Sequence, residues 1–161
     1  MPYELAPDAS QEGENLFDFI PREQIEHSMN QLNELGKDLG IHFHNKNKKF
    51  NTRRAHLAGY YAKDQGLYDK FSKRVFEAYF VEGINVAKVD VLSKIAEEVG
   101  LDAAEMNRLV DSGSYTERLM ADFTIADRNA VNVVPTFMVG EDTRFEGIVP
   151  YKDFKKIFEN L

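Results

Sequence analysis

Polar and apolar positions change their period along the chain. From Pro21, the residues Ile25, Met29, Leu32 and Leu39 recur on one helical stripe with Leu35 beside it, and Gly40 stops the run. The stretch "IHFHNKNKKF" (41–50) keeps no period and reads as a basic connector. A second helix runs through "RRAHLAGYYAKDQ" to Gly66, capped by Asn51 or Thr52. In "LYDKFSKRVFEAYF", Phe71, Val75, Tyr79 and Phe80 fall in helical register. Asp90 caps "VLSKIAEEV", which Gly100 closes. Asp102 with Glu105 frames a short helix ending near Gly113, and Ser114 with Glu117 forms a second capping box for "YTERLMADFTIADRNA".

After this helical block the period shortens to that of a strand. "PTFMV", a turn at "GEDT" and "RFEGIV" read as an antiparallel hairpin. Pro150 and "YKDFKKIFENL" then form an amphipathic helix with Phe154, Ile157 and Phe158 inward. At the front, "PYEL" (2–5) reads as a short extended segment, followed by the polar loop "DASQEGEN". The pattern describes one domain over 1–161: strand and loop in 1–20, helices in 21–130, and a turn, hairpin and helix in 131–161. The aromatic series Tyr60, Tyr61, Tyr68, Phe71, Phe76, Tyr79 and Phe80 follows helical faces and is expected in the core.

Composition narrows the chemistry. A chain of 161 residues can bury one hydrophobic core. A net charge of −7 argues against nucleic acid and anionic membrane as partners, because an acidic surface is repelled by both. The start, "MPYELAPDASQEGENL", has neither the basic residues nor the apolar run of a signal peptide, so a soluble, cytoplasmic protein is expected. The sequence contains no cysteine, which excludes disulfides, thiolate metal sites and a cysteine nucleophile built from these residues. No glycine-rich phosphate loop, Gly-x-Ser-x-Gly elbow or His-Glu-x-x-His motif is present.

The proline in "VNVVPTFMVG" breaks the strand pattern, since proline has no N–H for a ladder. Val134–Pro135 therefore reads as a cis turn entering a strand that starts at Thr136. Other polar residues have simpler readings. Asn51 is a helix cap before it is a ligand, and the alternating His42 and His44 lack a carboxylate at ligand spacing. The lysines of "KNKK" (46–49) are solvated. Arg53 and Arg54, with His56, stand at a helix N-terminus and could hold an anion, but ion pairs with the many acidic residues explain them more simply.

Several segments, in order, resemble the DsbA-like thioredoxin-fold oxidoreductases, and in particular their FrnE-like branch, related to 2-hydroxychromene-2-carboxylate isomerases and kappa-class glutathione transferases. They are "PYELAPD", "NTRRAHLAGYYAKDQG", "VFEAYFVEGINVAKVDVLSKIAEEVGLD", "VVPTFMVG" and "FEGIVPYKDF". The resemblance implies an α/β, incomplete thioredoxin-like fold with a large all-helical insertion, a C-terminal β-hairpin and a final helix. It implies a peptide or glutathione contact at Val134, Pro135 and Thr136, with His56 on a helix over the same region; it assigns no catalytic residue and no metal ligand.

Members of that family begin with a strand and a Cys-x-x-Cys or Ser-type motif opening a helix, before the segment resembling residues 2–5. This sequence does not contain that unit. In the family the strand is central, so the resemblance implies open sheet edges here, filled by residues 1–20, by a second copy or by another polypeptide. A homodimer or an internal rearrangement is the expectation. The function implied is protein disulfide oxidation, yet dithiol exchange passes through a protein thiolate that these residues lack. A non-catalytic peptide- or thiol-binding module and a glutathione-dependent isomerase or transferase are the alternatives.

Overall fold

The computed structural model describes residues 2–44, 47–140 and 143–159, without the side chains of Ile157 and Phe158. Its elements are β1 (Glu14–Asn15), α1 (Arg22–Gly36) with a 3₁₀ turn at Lys37–Leu39, β2 (Lys48–Lys49), α2 (Arg53–Asp64), α3 (Tyr68–Phe76) running into a π turn at Glu77–Val81, α4 (Val89–Glu98), α5 (Ala103–Asp111), α6 (Thr116–Arg128), β3 (Thr136–Val139), β4 (Thr143–Glu146) and α7 (Tyr151–Glu159).

The core lies in the helical block. Ala58 and Ala62, one turn apart on α2, are fully buried and let α3 and α5 approach closely, and Phe71, Leu92, Met106 and Leu119 fill the space between the helices. Polar ties cross the same contacts. Arg54 donates to Asp111 Oδ1 at 2.6 Å and Asn107 Oδ1 at 2.8 Å, and Asn107 Nδ2 donates to Ser93 Oγ at 2.8 Å, so α2, α5 and α4 share one network. The Tyr60 hydroxyl donates to Asp122 Oδ2 at 2.7 Å, and Arg118 lies over its ring while pairing with Asp64. Burial, with that bond to Asp122, pushes the Tyr60 hydroxyl pKa well up.

Two of the expected caps are absent. Lys88 holds the cap position of α4 without a side-chain bond, and Asp90 sits inside the first turn, where its charge complements the helix N-terminus. Tyr115 precedes α6, and the Ser114 hydroxyl pairs with Ser112 Oγ at 2.8 Å. The tight turn in which Thr116 N donates to Gly113 O at 3.0 Å takes the place of the capping box. Asp102 does cap α5, accepting from Glu105 N at 2.9 Å.

The aromatic series divides. Tyr60, Tyr61 and Phe71 are buried, whereas Tyr68, Phe76 and Phe80 are exposed. The π turn accounts for Phe80, because an extra residue in a helical turn rotates the next side chains by about 100°. Phe80 faces Phe43 edge-on at 6.4 Å and Tyr79 at 4.8 Å, at the rim of the core. The α1 stripe is likewise only half covered: Leu35 is 59% and Leu39 74% exposed.

The extended segment expected at residues 2–5 forms no strand. The front of the chain instead pairs through Glu14↔Lys49 and Asn15↔Lys48, antiparallel. It is tied to the start of α2 by Asn51 N to Ser10 O (3.2 Å) and to the loop before α4 by Asn85 Nδ2 to Gln11 O (2.8 Å). Gly13 (φ 85°) has no room for a side chain, since a Cβ would come 2.5 Å from the Phe50 ring. The hairpin pairs Thr136↔Glu146, Phe137↔Phe145, Met138↔Arg144 and Val139↔Thr143, and Phe137 packs edge-on against Phe154 of α7 at 4.9 Å. Among the described residues no third strand adjoins the hairpin, so residues 2–20 do not fill its edge. Residues 141–142 of the expected turn, and the inward placement of Ile157 and Phe158, lie outside the described residues. No helix among the described residues is long and apolar enough to cross a membrane.

Phe71→Ala should cost roughly 3–5 kcal/mol, the usual range for emptying a packed aromatic site, and Phe80→Ala less than half as much. Urea unfolding of the two variants measures this, and equal losses would contradict the division of the aromatic series.

Candidate functional site

The Val134–Pro135 peptide is cis, and β3 begins at the next residue. Gly147 N donates to Pro135 O at 2.8 Å, which extends the hairpin ladder by one step. Hydrogen-bonded and non-bonded pairs alternate in an antiparallel ladder, so Phe137 and Val139 turn their backbone groups toward β4. Thr136 and Met138 therefore turn theirs outward, to the open edge. The backbone N–H and C=O of Val134 have no partner among the described residues, while the Thr136 hydroxyl donates to Val133 O. Arg144 fastens the hairpin to the end of α6 by donating to Asn129 O at 2.6 Å and Ala130 O at 2.8 Å, and it also bonds Glu146.

Two depressions share Ile148 as a lining residue, and the smaller adjoins this turn. One of about 320 Å³ is lined by Pro135, Phe137, Ile148, Val149, Tyr151 and Phe154. Continuing the register places Ile148 opposite Val134. The other, about 750 Å³, lies between Ile148 and the Leu32 and Leu35 face of α1.

His56 stands elsewhere, on the first turns of α2. Its Nε2 lies 3.3 Å from Thr52 Oγ1, and its second ring nitrogen has no partner among the described residues. Burial pushes its pKa below the ordinary histidine value; Glu4 pulls the other way and Arg53 adds to the lowering. The Glu4 side chain, only 4% exposed, accepts from Arg53 Nε at 3.1 Å and Nη2 at 2.8 Å. Asn51 serves as the cap, its Oδ1 accepting from Arg53 N at 3.0 Å and its Nδ2 donating to Pro7 O at 2.9 Å.

With Arg53 on Glu4 and Arg54 on Asp111, neither guanidinium is free for an anion. The His44 ring rests on Gly83, and its backbone N donates to Phe80 O at 2.8 Å. Among the described residues no three His, Asp or Glu side chains gather as metal ligands. Lys49 pairs with Glu14 at 3.0 Å; Lys46 lies outside the described residues.

The structure thus brings Val134, Pro135 and Thr136 together at one turn and sets His56 beside Glu4 and Arg53. Among the described residues no hydrogen bond joins the two groups. Two neighbours escape sequence reasoning. Glu4 is visible there only as a lone charge in "PYELAP", and Ile148 only as the alternate position two residues beyond Glu146.

A family-wide sequence profile described as "DSBA-like thioredoxin domain" matches residues 1–159. YwbO of Bacillus subtilis is 30% identical over 161 residues, a match spanning 99% of this chain and 77% of that protein. The ClpXP adapter protein SpxH of Halalkalibacterium halodurans is 28% identical over 98 residues, spanning 57% of this chain and 32% of the adapter. A crystal structure of a probable DsbA oxidoreductase from Streptomyces coelicolor superposes with a TM-score of 0.88 at 20% identity, covering 98% of this chain and 72% of that one.

The lowered His56 pKa has a sign that can be checked. The unfolded chain takes up the proton first as pH falls, so stability from the neutral buried ring is complete above pH 6.5 and is lost as pH drops through the folded value. The unfolding free energy should therefore fall between pH 7.5 and 5.5 in the wild type and fall less in His56→Gln. Equal pH slopes in urea titrations would contradict the assignment.

Proposed function

The chain belongs to the DSBA-like thioredoxin domain family, and from that premise we propose that it is the peptide-docking part of a thiol–disulfide oxidoreductase of the FrnE-like branch. One observation carries the reading: among the described residues the backbone N–H and C=O of Val134 have no partner, beside a depression of about 320 Å³ rimmed by Pro135, Ile148 and Tyr151. An extended thiol-bearing peptide would exchange backbone hydrogen bonds with Val134 and place an apolar side chain in that depression. Pro135 and Thr136 shape the turn that presents Val134. His56, whose second ring nitrogen has no partner among the described residues, offers one further hydrogen bond at the start of α2. Because the 161 residues contain no cysteine, the thiolate that exchange requires comes from another segment or from a small thiol such as glutathione. A cytoplasmic setting is part of the proposal.

A second reading, protein binding without redox chemistry, draws support from the likeness to a ClpXP adapter protein. A homodimer joined at the open hairpin edge is a variant of it. In a glutathione-dependent isomerase or transferase the thiol would be the cofactor's own.

Calorimetry with a short peptide carrying cysteine between valine and phenylalanine tests the first reading. Tyr151 is 81% exposed, so Tyr151→Ala should leave the fold intact and weaken peptide binding by about tenfold, the worth of one well-placed apolar contact. Peptide binding unchanged by that variant, or absent, would overturn the reading. Saturable binding of glutathione alone would favour the cofactor-thiol alternative.

A further inference from the structure

Helix α3 carries an outward stripe besides the face it buries. Phe71, Val75 and Ala78 of α3 and its π turn face the core, while Lys73, Phe76 and Glu77, at i, i+3 and i+4, share the other side. The π turn brings Phe80 against Phe76, with ring centroids 6.0 Å apart, and Phe43 continues the row from Phe80 at 6.4 Å. Phe76 is 59% exposed, Phe80 40% and Val81 41%. Scattered apolar side chains are ordinary on a surface, whereas a row of contacting rings marks a place where something docks.

Charge along the stripe says what docks there. Lys70 and Lys73 precede Phe76, and Glu77 and Glu82 follow it. Arg74 is taken up within its own chain, by Glu82 at 3.0 Å and Glu98 at 2.6 Å. Lys73 and Glu77 only touch, at 4.0 Å, with side chains 79% and 47% exposed, and such a pair adds little within one chain. A seam that is basic on one side of a phenylalanine and acidic on the other is self-complementary about a two-fold axis. In an antiparallel pair of α3 helices, Lys73 of each copy meets Glu77 of the other, Phe76 lies against its twin, and Asp69 falls beside Val81 at the end of the seam. Two copies of net charge −7 repel over most of their surface, which favours contact along an apolar seam whose charges cancel.

We propose that the chain forms a homodimer by antiparallel packing of α3 and its π turn, with Phe76 and Phe80 at the apolar centre and two Lys73–Glu77 pairs crossing between the copies. The seam runs along about 20 Å of helix, so the dimer is small and readily reversible. It shares no residue with the β3 edge or the turn at Val134, so this proposal and peptide docking fail separately.

Sedimentation equilibrium over about 10–500 µM tests it, with circular dichroism to show that each variant is folded, and the wild type should pass from monomer towards dimer in that range. Phe76→Glu, at an exposed position, should weaken the dimer by about tenfold or more, and so should Lys73→Glu and Glu77→Lys, each of which sets like charges opposite one another twice. Mixed one to one, the two charge variants should associate again, because every Glu then meets a Lys; no contact within a single chain produces that result. If Phe76→Glu fails to fold, the charge variants alone decide. A monomer at about 500 µM, a dimer indifferent to Phe76→Glu, or a mixture of the charge variants no more associated than either alone would overturn the proposal.

Discussion

Among the described residues, backbone groups along β3 have strand partners on one side only, and this one-sidedness sets the backbone groups that the hairpin offers to a partner. The ladder to β4 uses Phe137 and Val139, leaving Thr136 and Met138 facing out and Val134, at the turn, without a backbone partner among the described residues. Pro135 cannot donate, so the ladder is interrupted where the chain enters the strand. A two-stranded ribbon is marginal by itself. Here it is held by Phe137 on Phe154 and by Arg144 clasping the Asn129 and Ala130 carbonyls just past α6.

The helical block supplies the stability that the hairpin lacks. Its fully buried alanines bring the helix axes close, and its crossings are tied by polar networks that consume Arg54 and Arg118. This division explains why charge-bearing residues at the start of α2 serve structure before ligand binding. Arg53 is spent on Glu4, and His56 is kept neutral by burial beside them. The DsbA-like thioredoxin fold here combines a densely packed helical block with, among the described residues, a two-stranded hairpin at β3 and β4.

Helices are legible in the sequence because the 3.6-residue period of apolar positions is a direct imprint of a buried face, and the period-two hairpin is legible for the same reason. Cap residues are less so. Asp90 lies two positions past the cap of α4 and Ser114 one position before that of α6, so each has the right chemistry at the wrong place, and a tight backbone turn meets the start of α6 instead. Periodicity also cannot tell that the Leu35 stripe of α1 stays open, since a stripe records the capacity for burial and not its partner. A π turn shifts phase without a mark in the composition, which is why periodicity misplaces Phe80. At the candidate site the turn at Pro135 is readable from a residue type, whereas Glu4 and Ile148 reach their places through tertiary register.

The peptide-docking and hairpin-edge dimer readings both depend on the open outer edge of β3 and its entry turn. Residue-resolved amide hydrogen exchange in the free chain measures that edge directly. Phe137 and Val139, bonded to β4, should be protected, while Thr136 and Met138 should exchange at rates close to those of an unstructured peptide. Protection of Thr136 and Met138 comparable to that of their neighbours would mean that the outer edge already has a partner, and would contradict the account.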